Sequence, residues 1–584
     1  MRDWAIAFTT TAVKMEPSQV RGVLHRKMKS RLLPYIPVDK SKKYGGNTPT
    51  GGVNFDSVTE TIDLVRSTLD NDYKSYLEDN IQALRDGTLS LLGRSVKGGN
   101  QFPARIPPLV GEKYNYPRQW TLKLLSLEPA LWISLCPDST TVEFAESLLN
   151  WLEAWDTSRI SKIGDSNSFR RYWAPYTVSR RICNLVRLGV IFEKESTNTE
   201  ILQRSLIRDV QFLKNHIEYD VGGNHLVENA CALLVGGTAL SDDEAKTQGL
   251  KILVEELPSQ LLEDGMHYER STMYHTILLY QLTWSLSVLQ ESGYSIPIPI
   301  KSDIKSMYEF LYCVSPGNAN YPLLNDSVYH ECPSRVSCLR LAEKVFNFNP
   351  PDSEVLTGES GYYQLQSQNL TAIIDGGKPC PDHLPGHAHN DVGNIVLWVE
   401  DEPVIVDTGV YDYQSGTRRG YVRSVTAHNT IQVGDGDQAI LHGRFKMGPR
   451  PNPKVHLKEK DLVKVEFDSP MFTGKYQHIR TVSSIDKGFK IIDEVCGGDA
   501  PYKSRFHLSP DISVEILNNI VKVETPNGEF LDISVSGVDE IELIDTEYYP
   551  QYGVEVSRPT IKSVVHNQSN ECKRFVHEFN CPNK

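Results

Sequence analysis

No stretch of this chain approaches the ~18 consecutive apolar residues that a membrane-spanning helix requires, so the sequence gives no reason to expect a membrane partner. A convincing secretory leader is missing as well. Met1–Thr10 carries one basic residue, one acid and only a short apolar patch, a poor match to the charged, apolar and cleavage regions of a signal peptide. The expectation is a cytoplasmic protein, or a periplasmic or secreted one whose leader is not part of this sequence. Paired cysteines are absent too. The ten cysteines are scattered with no CxxC, and Cys136, Cys183 and Cys231 lie in apolar context, which reads as free, mostly buried thiols in a reducing compartment. There is no surplus of positive charge. With 61 basic against 74 acidic residues the net charge is −13, which argues against a general nucleic-acid binder. Such a chain can still hold a polyanion where basic side chains gather, and Arg418, Arg419, Arg423, Arg444, Lys446 and Arg450 form a run of that kind. The basic stretch from Arg21 to Lys43 reads as solvated surface.

The composition, 40% hydrophobic and 23% charged, is that of a soluble globular protein. A length of 584 residues exceeds one ordinary domain. From about Phe55 to Asn347 apolar residues recur at helical spacing, as in Leu64, Leu69, Tyr73, Leu77, Ile81 and Leu84. Six of the eight tryptophans (Trp120, Trp132, Trp151, Trp155, Trp173 and Trp284) fall in this half. Each is either core or a platform for the apolar face of a pyranose ring. Phe348–Ser353 reads as a connection. Beyond it the period becomes two, as in Leu462–Phe467, Ile512–Ile516 and Val521–Glu524, the pattern of antiparallel sheets with one solvated face. The fold class is therefore α+β and multidomain: an extension over 1–50, a helical domain over 51–347 and an antiparallel β-sandwich over 354–584.

Chemistry concentrates in Gly386-His387-Ala388-His389-Asn390-Asp391-Val392-Gly393-Asn394. If this stretch is extended, His387 and His389 project to the same side. The apolar run Ile395–Val399 follows, and a second apolar run ends in Asp407. Ala427-His428-Asn429-Thr430 adds another imidazole before Ile431. His389, Asp407 and His428 make a His2Asp set suited to zinc or a similar divalent ion, with Asp391 as a competing ligand. The plainer alternative is hydrogen-bonded histidines at strand ends.

Gly-His-x-His-x-Asp-x-Gly, the later Asp407-Thr408-Gly409 and Arg423–Thr430 together resemble the heparinase II/III-like superfamily of polysaccharide lyases. Gly223–Asn229, Asp264–His275 and the amino-terminal Thr11–Lys14 with Gln19–Arg21 extend the likeness along nearly the whole chain. The resemblance implies an incomplete α/α toroid followed by a β-sandwich. It also implies a metal that pins sandwich strands instead of activating water, and active-site positions at Asn224, His225, Tyr274 and His387. Since His387 comes from the other half of the chain, the cleft is expected between domains.

Those residues suit β-elimination at a 4-linked uronic acid, which requires a neutralised carboxylate, a base for the C5 proton and an acid for the departing O4. Asn224 and His225 suit the carboxylate, His387 the base and Tyr274 the proton donor. The competing structural readings are that Asn224 caps the helix after Gly222-Gly223 and that Tyr274 is core. One helical turn on, Glu228 either orients His225 or pairs with an arginine. His267 and Arg270 share a face with Tyr274 if its helix extends that far, and are assigned with Glu228, Arg419 and Arg423 to substrate binding. The expected partner is an acidic polysaccharide or oligosaccharide. The rival classes are a glycoside hydrolase, which needs two opposed carboxylates, and a non-catalytic polysaccharide-binding or assembly protein.

Overall fold

The computed structural model describes residues 53–97, 116–157, 171–195, 200–352, 360–457, 461–470, 476–498, 500–567 and 571–581, with isolated positions besides. The expected 1–50 extension, its Thr11–Lys14 motif and most of the Arg21–Lys43 stretch lie outside them.

Helices run from Asp56–Thr68 to Arg335–Phe346, interrupted by one hairpin, Thr88–Leu91 with Arg94–Lys97, that the helical periodicity did not announce. Two helices form the inner wall and are buried around their whole circumference, as an apolar helix inside a large domain must be. In Gly223–Ala239 every residue is buried except His225. In Thr272–Glu291 every residue through Leu289 is buried except Tyr274. These two exceptions mark the face that looks into the cleft.

Strands begin at Tyr362. One antiparallel sheet of eight strands runs spatially from Lys454–Leu457 through Tyr476–Ile485, Gly488–Gly497 and Lys573–Asn580 to Ser513–Leu517. Two four-stranded sheets oppose it, one built on Tyr362–Ile405 and one on Ile431–Val433, Tyr502–His507, Glu540–Tyr548 and Val556–Val565. All three sheets contribute to one apolar cluster, with Ile395, Val482, Phe489, Phe506, Ile561 and Phe575 among its members. The two smaller sheets are joined by a bridge between Ile405 and Leu508. The alternating burial of Tyr476–Ile485 is the period of two seen in its sequence.

The thiol expectation needs one correction. Eight cysteines are free, but Cys496 and Cys572 form a disulfide across a sequence separation of 76 residues. They meet because Val495 and Lys573 are register partners on neighbouring strands, which no local spacing announces. Replacing both by Ser removes a long covalent loop from the unfolded chain and is expected to lower stability by about 2–4 kcal/mol. Denaturant midpoints of the oxidised protein and the double variant check it.

Candidate active site between the toroid and the sandwich

A cleft of about 760 Å³ separates the two halves. The helical side supplies Trp120, Tyr176, Arg180, Asn224, His225 and Tyr274, and the sandwich side supplies His387, Tyr413, Phe445 and Tyr552. The four predicted catalytic residues thus line one cavity. Of the tryptophans, only Trp120 is among its lining residues; Trp132, Trp151, Trp155, Trp173 and Trp284 are buried core.

Asn224 does not cap its helix. The helix opens with Gly222 at the N-cap and no side-chain cap bond, and the Asn224 carboxamide has no hydrogen-bond partner among the described residues. Its backbone N–H donates to Glu269 Oε1 at 3.1 Å. Gly223 has φ +55°, and a Cβ there would overlap that same Glu269 oxygen, so the turn that presents Asn224 requires glycine. His225 is not oriented by Glu228. Its Nδ1 lies 3.1 Å from Glu218 Oε2. Burial pulls the His225 pKa down, but Glu218 overcomes this and leaves it above the usual value. Glu228 instead faces Arg180 at 3.5 Å and is buried behind the wall.

Tyr274 sits over His387, ring centroids 4.3 Å apart. Its hydroxyl lies 3.1 Å from that of Tyr413, which accepts from Tyr552 at 3.1 Å. Burial, with Tyr413 alongside, raises the Tyr274 pKa well above the phenolic value, so it carries its proton. His387 ends a short 3₁₀ turn, Pro385–His387, instead of lying in an extended strand. Its Nδ1 lies 2.8 Å from Asp326 Oδ2. Its Nε2 lies 3.2 Å from Glu269 Oε2, without the alignment of a hydrogen bond.

Asp326 is the residue that sequence reasoning missed. It is fully buried and serves four contacts: His387, His389 Nε2 at 2.9 Å, and both terminal nitrogens of Arg419. Burial opposes its charge, yet Arg419 and the two histidines hold its carboxyl well below the usual range. Glu269 lies within the Asp264–His275 stretch but had no role until the fold placed it between Asn224 and His387.

Four of the residues assigned to substrate do something else. The Tyr274 helix begins only at Thr272, with Ser271 as N-cap, so His267 and Arg270 do not share its face. His267 is buried against Gln260, its pKa lowered to about 4 by burial. Arg270 pairs with Asp375 at 2.6 Å and donates to the Lys378 carbonyl. Arg419 holds Asp326, and Arg423 is buried against the carbonyl of Ala388 at 3.1 Å. The basic run is dispersed rather than gathered: Arg418 pairs with Glu555, and Arg450 holds the Pro379–Asp382 loop.

Among the described residues, no three His, Cys, Asp or Glu side chains converge to hold an ion. His389 and His428 do meet, ring centroids 5.2 Å apart. Asp407, expected as a ligand, has one oxygen on His428 Nδ1 at 2.7 Å and the other on Asn394 at 2.7 Å. Three buried atoms remain without a partner: His389 Nδ1, His428 Nε2 and Asp391 Oδ2.

Residues 112–355 match the heparinase II/III N-terminal family and residues 350–578 the heparinase II/III-like C-terminal family. A heparin-sulfate lyase of Bacteroides thetaiotaomicron is 25% identical over 316 residues, 45% of this chain and 44% of that protein. A heparin-sulfate lyase of Pedobacter heparinus is 21% identical over 378 residues, 59% of this chain and 55% of that protein. The matched part thus spans about half the length of these relatives. Among solved structures, heparinase III superposes with a TM-score of 0.63 at 19% identity, covering 81% of this chain and 79% of that one. Chondroitin AC lyase of Streptomyces coelicolor A3 superposes with a TM-score of 0.56 at 9% identity, covering 91% and 83%. At such identities these structures establish the toroid-plus-sandwich fold.

Proposed function

Because the chain belongs to the heparinase II/III-like family, we propose that it is a polysaccharide lyase that cleaves a 4-linked uronic-acid polymer or oligosaccharide by β-elimination. The observation that carries this reading is the convergence of Asn224, His225, Tyr274 and His387 on one interdomain cleft.

The substrate carboxylate sits against the unengaged carboxamide of Asn224 and against His225, which the neighbouring Glu218 biases toward its protonated form. Withdrawing charge from that carboxylate makes the C5 proton acidic. Asp326 holds the His387 proton on Nδ1, leaving Nε2 as the base that takes the C5 proton. Glu269 beside Nε2 then stabilises the imidazolium that forms. The C5–H electron pair becomes the C4–C5 double bond, the C4–O4 bond breaks, and O4 leaves with the proton of Tyr274. The phenol chain suits this donation. Tyr552 donates to Tyr413, so the Tyr413 hydroxyl is free to donate to Tyr274 in turn and leave the Tyr274 proton for O4. A hydrolase would need two free, opposed carboxylates; of the three lining acids, Glu218 and Glu331 are paired with His225 and Lys123, which leaves Asp412 without an opposed partner.

The test is a screen of heparan sulfate, chondroitin sulfate and alginate for the near-ultraviolet absorbance of an unsaturated uronate. No absorbance from any uronate polymer, with a folded protein, counts against the proposal.

The metal remains part of the proposal in altered form. The donors an ion would use are the unpartnered His389 Nδ1, His428 Nε2 and Asp391 Oδ2, which would have to draw together around it, with Asp407 orienting His428 from behind as outer carboxylates do. Zinc suits imidazole donors, and its contribution there is to tie the sandwich segments together. Chelation is expected to lower the melting temperature, because an ion that binds only the native state stabilises it by mass action. Elemental analysis showing no stoichiometric metal, with melting unchanged by chelator, would remove the ion. The Cys496–Cys572 bond suits an oxidising compartment, favouring a periplasmic or secreted location over the cytoplasm.

A further inference from the structure

One stretch of the cleft wall joins the two domains across the rim. The hairpin Thr88–Lys97 is rooted in the helical half: Leu89 and Leu91 are buried in its core, and the Trp120 indole donates to the Arg94 carbonyl at 3.0 Å. Its tip reaches the sandwich loop ending in Tyr552-Gly553. There Gly93 and Gly553 pack backbone on backbone, with φ of +67° and +74°, and a Cβ on either would overlap the Cα of the other. The sandwich loop is held from both sides. Gly553 N–H donates to the Tyr411 carbonyl at 2.8 Å, while Tyr329 of the helical half donates its N–H to the Pro550 carbonyl at 2.7 Å. Tyr552 and Val556 pack against the helical core. Leu92, Gly93, Arg94, Tyr552 and Gly553 all line the cleft. The junction is also near the chemistry, since the Tyr552 hydroxyl reaches that of Tyr274 through Tyr413 alone.

From this contact we infer that the cleft takes its polysaccharide by a chain end and that cleavage is exolytic, releasing short product of one size. An internal segment enters a groove sideways and needs both rims apart. Where the rims are joined, only an end can pass. Opening this junction would break the Tyr329–Pro550 main-chain hydrogen bond and lift Tyr552 and Val556 off the helical core, so the joined state is the resting one. Its closeness to Tyr552 leaves little length between the scissile bond and the closed rim, which sets a short product. The inference rests on the lyase reading and specifies which bond in the polymer is cut.

Early digests of whichever of heparan sulfate, chondroitin sulfate and alginate is cleaved, resolved by size-exclusion chromatography and mass spectrometry, test it. The expected profile is one short unsaturated product beside polymer of nearly undiminished length, with viscosity falling slowly. A ladder of intermediate lengths with rapid loss of viscosity overturns it. Gly553→Ala, or Gly93→Ala from the other rim, pushes the rims apart, and a folded variant should begin to release intermediate lengths. A folded variant whose products match the wild type overturns the assignment of closure to this contact. Failure to form unsaturated product from any of the three would instead strike the lyase reading, and the closed cleft with it.

Discussion

Replacing Tyr274 by Phe is expected to leave a folded protein whose turnover falls by about 10²-fold or more, the usual cost of losing a general acid–base group. The substitution removes one oxygen from a side chain that is otherwise held by its own helix, its N–H capped by Ser271 at 3.2 Å, and by the face of His387. Among the described residues the hydroxyl has one partner, Tyr413, which keeps its bond from Tyr552. Stability therefore changes by no more than a single hydrogen bond, about 1 kcal/mol, while the proton for O4 is gone. Steady-state assays on a cleaved polymer, with melting curves alongside, separate the two effects. A folded, fully active Phe variant would remove Tyr274 from the mechanism.

The largest effect on stability is expected at Asp326. Asp326→Asn keeps the shape but removes the charge that balances Arg419, which is 2% exposed, and weakens the hold on His387 and His389. Removing one partner of a buried ion pair leaves the other uncompensated, a loss of about 3–5 kcal/mol. Activity should fall as well, because the amide can present its NH₂ to His387 and shift the ring proton to Nε2, where the base is needed. The readout that distinguishes positioning from mere folding is kcat at a temperature where the variant is fully native. A variant that melts like the wild type, or that keeps its kcat when folded, would contradict this role.

Much of the architecture was legible because it depends on local periodicity. The change from helical spacing to alternation near residue 350 located the two halves, since a side chain's burial in a helix or strand repeats every 3.6 or 2 residues. The four cleft residues could be named because each sits in a short motif that resembles the family's: Asn224-His225 after two glycines, Tyr274 in a polar helix start, His387 beside His389. Without that likeness Asn224 also reads as a helix cap and Tyr274 as core. Their convergence on one cavity was an expectation from family likeness that the fold bore out.

The pairings were decided by tertiary structure alone. In sequence Arg419 and Arg423 look like part of a polyanion site and Arg270 like a substrate contact beside Tyr274, because nothing local reveals which way a side chain turns. Once buried, each guanidinium must be satisfied, and they take Asp375, Asp326 and backbone carbonyls instead of solvent or ligand. Asp326 itself lies 61 residues from His387 and 93 from Arg419, in a loop with no periodic signal. Cys496 and Cys572 are brought together only by strand register. Two glycines 460 positions apart in number, Gly93 and Gly553, meet because the two domains close on each other. Local spacing determined which residues have chemistry to offer; the cost of burying charge and the packing of one domain on the other determined which of them meet.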